Sequence, residues 1–203
     1  MPRFFTRPRS ALLLFAAAFL LRLAFILQIH DHPLLQADAG LDTSAYLTLA
    51  DRVIAGQLGL GPGLYFVSPL YIYVLALIRS LADSLTVVRV TQAALGTVGV
   101  WCVFSMTELW YSRRAAWIAG ALAASCGVFV FYDGLIIQSS LDMALTAIAL
   151  AALTRGLVRG TTRPFLIAGM VFGLHTLNRP NILAAALVVT MALAVLRSKR
   201  LAS

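Results

Sequence analysis

Long apolar runs succeed one another along this chain, at about residues 11–29, 88–110, 114–132, 135–154, 164–178 and 181–196, with short polar breaks between them. A stretch of ~20 apolar residues matches the hydrocarbon thickness of a bilayer. Backbone at that depth must satisfy its own hydrogen bonds, which makes each run a helix. Composition agrees: 61% of the 203 residues are hydrophobic and 12% are charged, against about 45–50% and about 25% in soluble domains. This excludes a soluble globular enzyme, a disordered tail and a nucleic-acid-binding domain. The net charge of +8 does not mark a nucleic-acid partner, because the 16 basic residues are scattered between the runs. The expected fold is an all-α integral membrane protein, one polytopic domain over 1–203 with about six transmembrane helices. Chemistry is left to the loops. Cys102 and Cys126 lie in different runs and form no metal-binding spacing, so both read as small core residues.

The first run follows Arg3, Arg7 and Arg9, as in a signal peptide, but its length and the spans behind it predict a retained helix. A shorter run from Pro69 to Ala82, interrupted by Arg79, decides the topology. If it crosses, Arg113, Arg114, Arg155, Arg159, Arg163, Arg197, Lys199 and Arg200 all fall outside. If it lies along the membrane or dips into it, they join Arg3, Arg7 and Arg9 inside, leaving Arg52, Arg79, Arg89 and Arg179 outside. The second arrangement obeys the positive-inside bias. It predicts both termini in the cytoplasm and one external segment over 30–87 carrying a juxtamembrane helix at 69–82; the location expected for such a multi-pass protein is the plasma (inner) membrane.

That external segment holds Asp31, Asp38, Asp42, Asp51 and Asp83, most of the chain's acidic residues. Its spacing predicts an amphipathic helix from Asp42 to Gly56, with Tyr46, Leu49, Val53 and Ile54 on one face. Such a helix lies on a membrane surface. Gly59–Gly63 reads as a loop. Tyr46, Tyr65, Phe66, Tyr71 and Tyr73 suit a segment at membrane level.

The candidate catalytic residues are Asp42 and Asp133. Asp42 reads either as a helix N-cap or as a general base at the outer face. Asp133, in Phe131-Tyr-Asp-Gly134, reads as turn chemistry or as a second acid on that face. Arg179, in Leu177-Asn-Arg-Pro-Asn181, suits a phosphate or a headgroup anchor. Arg179, Tyr46 and Asp142 form the expected substrate-binding set. Asp142, inside the run 135–154, calls for a polar cavity or a partner such as Arg22, at a depth of roughly 10 Å. No metal ligand set is predicted; His30-Asp31-His32 lacks a third fixed ligand. Gly169 with Gly173 suggests a close helix contact.

The order of these features resembles the bacterial membrane glycosyltransferases of the GT-C fold, similar to the dolichyl-phosphate-mannose protein mannosyltransferases (glycosyltransferase family 39). The likeness runs through Leu41-Asp-Thr-Ser-Ala-Tyr46, Ile54-Ala-Gly56, Ser68-Pro-Leu-Tyr-Ile-Tyr-Val-Leu-Ala-Leu-Ile78, Val88-Arg-Val-Thr-Gln-Ala-Ala-Leu-Gly96, Tyr111-Ser-Arg-Arg114, Phe131-Tyr-Asp-Gly-Leu135 and Gly173-Leu-His-Thr-Leu-Asn-Arg-Pro-Asn181. The resemblance implies transfer of a sugar from a polyprenyl-phosphate carrier to an acceptor at the external face. Asp42 matches the family's catalytic base and Arg179 lies at the position near the lipid phosphate. A divalent metal assists some members, so the cofactor is left open. The partners implied are a polyprenyl-phosphate sugar lipid and membrane lipids. Two departures stand out. The Glu expected after the Phe-Tyr-Asp-Gly turn is replaced by Gln138-Ser139-Ser140, with Asp142 nearby. The chain also corresponds to the N-terminal portion of such enzymes, which admits a second membrane subunit, a non-catalytic truncated or scaffold protein and, last, a transporter as alternatives.

Overall fold

The computed structural model describes residues 8–33, 36, 42–60 and 69–202, with side-chain surroundings for 11–33, 36, 42–60 and 69–195. Arg3, Arg7, Asp38, Gly61–Gly63, Tyr65, Phe66 and Ser68 lie outside the described residues, as do the side chains of Arg9, Arg197, Lys199 and Arg200. Among the described residues all regular structure is helical: α1 (Pro8–Gln28), α2 (Thr43–Ile54), α3 (Pro69–Leu81), α4 (Leu85–Trp110), α5 (Arg113–Ser125), α6 (Gly127–Gly134), α7 (Ser139–Arg159), α8 (Thr162–Asn178) and α9 (Ile182–Ala202).

Among the described residues, three helices are long and apolar enough to cross a bilayer: Ala11–Gln28 within α1, α4 and α7. The run 114–132 is broken, because α5 and α6 meet at a bend of 46° and pass that test only as a pair. The break lies at Ser125-Cys126-Gly127. Ser125 Oγ donates back to the Ala121 carbonyl at 2.9 Å, and Cys126 turns extended (φ −65°, ψ 104°) before Gly127. Side-chain back-bonding and a poor helix former together bend helices. α8 has 17 residues, and the described apolar stretch of α9 is Ile182–Val195.

α4 is the central helix and packs against α1, α3, α5, α6 and α7; α7 packs on α8, and α8 on α9 and α3. One core, built on Leu14, Ala18, Val100, Phe104 and Ala116, joins α1, α4 and α5. Phe104 sits there edge-on between Phe15 and Trp117, at 5.9 and 5.8 Å. The other core, including Tyr46, Tyr71, Ile72, Leu75, Val88 and Ile136, seats α2 and α3 on the bundle. Large apolar side chains such as Leu13, Leu20, Ile118, Leu122, Leu166, Met170 and Leu187 point outward. Contiguous apolar surface of this kind is what lipid covers.

The two helices expected between the first and second runs form close to where the pattern predicts. α3 has 13 residues, which at 1.5 Å per residue is too short for a ~30 Å hydrocarbon core. α2 buries Thr43, Tyr46 and Ala50, with Leu49 and Val53 partly covered. Ile54, expected on this face, is exposed, because the stripe advances by three and four residues from Thr43. Gly56 follows at φ +87°, a backbone geometry that stops the helix cleanly only where no Cβ is present. The Tyr73 hydroxyl then ties the following turn down through the Leu58 carbonyl at 2.6 Å.

Candidate active site

Three helix ends meet at one side of the bundle: the start of α2, the start of α7 and the end of α8. Thr43 Oγ1, in the first turn of α2, donates to the Ile136 carbonyl at 3.3 Å. This fixes α2 to the connector between α6 and α7. Asp42 stands at the N-cap of α2, yet its backbone is already helical (φ −60°, ψ −7°) and its side chain makes no capping bond. N-cap side chains turn back from extended backbone, so the capping role expected of Asp42 is not used. Its carboxylate is exposed.

Asp142 was expected deep in a span, since its apolar run begins at 135. The helix itself begins at Ser139, because residues 135–138 are the connector, and Asp142 lies in the first turn. Its expected partner Arg22 is also corrected. Asp142 instead gathers the last turn of α8: Oδ1 accepts from His175 Nε2 at 3.2 Å and from Asn178 Nδ2, and Oδ2 accepts from Arg179 Nε. Pro180 explains the reach of Arg179. It disfavours helical backbone at the residue before it, and Arg179 is extended at φ −149°, ψ 106°. The side chain therefore leaves the axis of α8 towards α7, with 40% of its surface exposed.

Tyr46 lies between these groups. Its ring is buried edge-on against Tyr71 at 5.1 Å. Burial pushes its phenol up to about 12; the nearby Asp42 charge adds to this, Arg179 opposes it, and Asp142 adds again. Tyr46 thus remains a protonated donor at neutral pH, within electrostatic reach of all three. Along another flank of α2, a cavity of about 370 Å³ is lined by Ser44, Thr48, Asp51, Arg79 and Asp83 among others. Arg79 donates there to Asp83 at 2.9 Å and to Asp51.

Asp133 stands apart from this group. It is 0% exposed, and its Oδ2 accepts from Arg22 Nε at 2.7 Å. Around it, Gln92 Nε2 donates to the carbonyls of Asp133 and Leu135 at 2.9 and 2.7 Å, while Gln92 Oε1 accepts from the Tyr71 hydroxyl at 2.7 Å. Gly96 leaves the room: a Cβ there would fall 2.0 Å from Asp133 Oδ2 and 2.7 Å from Arg22 Nε. The pair expected at Gly169 and Gly173 makes no close contact; a Cβ on either would meet nothing within 4 Å.

A sequence-family profile, dolichyl-phosphate-mannose-protein mannosyltransferase, matches residues 67–203. The chain belongs to this family. The match spans α3 to α9, so it includes Asp133, Asp142 and Arg179, while Asp42 and α2 precede it. Membership makes the chain one of a family of glycosyltransferases, and its apolar helices suit a membrane protein. No curated protein and no solved structure matches the chain.

A divalent cation, used by some members, would need several hard oxygen ligands. Among the described residues no three His, Cys, Asp or Glu side chains converge, and both Asp142 oxygens already accept bonds. The donor set among the described residues does not fit a protein-held cation, and no step is routed through one. Two residues at the site, His175 and Asn178, were not singled out from sequence. Their signal is the i,i+3 spacing of His175 and Asn178 on one face of an apolar helix, immediately before Arg179.

Proposed function

We propose that this chain transfers a sugar from a polyprenyl-phosphate donor to an acceptor hydroxyl at the external face of the inner membrane. In this reading six segments span, with both termini cytoplasmic, and the junction of α2, α7 and α8 faces outward. One observation carries it: an exposed carboxylate not used for capping, Asp42, shares the surroundings of Tyr46 with an arginine anchored by Asp142. Asp42 accepts the proton of the acceptor hydroxyl as its oxygen bonds to the anomeric carbon. The bond from that carbon to the carrier phosphate breaks, and the electron pair leaves with the phosphate, where Arg179 meets the charge. Tyr46 donates a hydrogen bond nearby, and the cavity beside Ser44 and Asp51 suits the approach of a hydroxyl-rich acceptor. Asp133 serves architecture, held by Arg22.

The test supplies membranes containing the chain with a labelled polyprenyl-phosphate sugar. The intact chain transfers label, and Arg179→Ala lowers kcat/KM by roughly 10- to 100-fold, the worth of a charge-assisted bond. Absence of transfer by the folded, unaltered chain sinks the proposal as applied to this chain alone.

A further inference from the structure

We infer that His175 and Asn178 are positioning residues that aim Arg179 by fixing the Asp142 carboxylate. The inference rests on the reading above, in which Arg179 meets a lipid-linked phosphate. A carboxylate is an acceptor with two oxygens, and here the two are divided. Oδ1 is occupied by His175 Nε2 and Asn178 Nδ2; Oδ2 is left for Arg179 Nε. His175 is 1% and Asn178 0% exposed, whereas Arg179 is the outward member. The clamp is therefore dry on the side that holds Asp142 and open on the side that faces a ligand.

The consequence lies in which edge of the guanidinium is consumed. With Nε–H spent on Asp142, the end-on edge of the guanidinium, formed by one N–H from each terminal amino group, is turned away from that bond by the planar geometry of the group. Those amino groups can meet two phosphate oxygens as a fork. An arginine free to rotate would offer the same groups in many directions. Bonding also assigns the tautomer: Nε2 carries the proton that Asp142 accepts. His175 Nδ1 and Asn178 Oδ1 are buried with no partner among the described residues. Unmatched buried polar atoms oppose folding, so an apolar residue at 175 would serve packing better. The contact with Asp142 is what the imidazole supplies.

The experiment uses the full chain in detergent and in phosphatidylcholine vesicles, with a short-chain polyprenyl phosphate as the probe, competed against the labelled donor. His175→Leu is expected to weaken probe binding and raise donor KM by about 10-fold with kcat within about 3-fold, the signature of a lost binding interaction. His175→Gln, which retains an N–H donor, restores most of the affinity. The double variant His175→Leu/Arg179→Ala binds no more weakly than Arg179→Ala alone, because two residues acting through one group are not additive. The Arg179 Nε–H proton resonance is resolved in the intact chain and lost to exchange in His175→Leu. Should His175→Leu not fold, Asn178→Ala carries the same expectations. Additive losses, or an Nε–H signal unchanged by both single variants, overturn the inference. If Arg179→Ala leaves probe binding unchanged, the phosphate reading of Arg179 fails, and the Nε–H signal still decides the positioning.

Discussion

Asp42→Asn is expected to lower sugar transfer by roughly 10³-fold, within the range that a general base supplies, while donor KM changes little. The substitution keeps the shape of the side chain and removes its ability to hold a proton. It also leaves the fold undisturbed, since the Asp42 side chain makes no capping bond and α2 is held by Thr43, Tyr46 and Ala50 instead. Initial rates of label transfer across a range of donor concentrations check this, with thermal unfolding in detergent as the control. Equal rates for the two proteins would remove Asp42 from the chemistry. A fall confined to KM would instead make it a binding residue.

The second large effect is on stability. Asp133→Leu leaves the Arg22 guanidinium charged, 1% exposed, and without its carboxylate. Breaking one partner of a buried pair costs about 3–5 kcal/mol, much of a protein's usual margin of roughly 5–15 kcal/mol. The double change Arg22→Met/Asp133→Leu is expected to recover most of that loss, because the stranded charge goes with its partner. Gly96→Ala reaches the same end by volume, as its methyl group would overlap Asp133 Oδ2. Thermal unfolding of the three variants in detergent measures the series. A single Asp133→Leu variant as stable as the parent, or a double variant worse than the single, would contradict it. The damage reaches the site as well, because the connector that Gln92 holds by its carbonyls also receives Thr43 of α2 and leads into α7.

Sequence pattern pointed to Asp42 as a charge at a helix start and to Arg179 as a charge beside Pro180 at a helix end. It misplaced Asp142 because hydropathy marks where residues are apolar, not where a helix starts; Leu135–Ile137 are apolar yet belong to the connector. Arg22 was visible as an intramembrane charge, but its partner lies 111 residues away. Both Asp133 and Asp142 were available, and periodicity does not choose between them. His175 and Asn178 carry no fixed charge and sit among leucines, so only the meeting of α7 with α8 makes them stand out. The length of α2 was legible, while its exact stripe depended on α3 and the connector.

The burial of α3 bears on how the chain is assembled. Its inner face rests on α2, α4 and α8, and α4 and α8 are translated after it. A nascent chain halted before α8 would hold Tyr71, Ile72, Leu75 and Ala76 without part of the surface that covers them in the finished fold. α3 therefore docks late, and the site near Asp42 is completed only when the end of α8, with His175, Asn178 and Arg179, closes over the start of α7. The covered state of α3 should thus emerge only after α8 has been made.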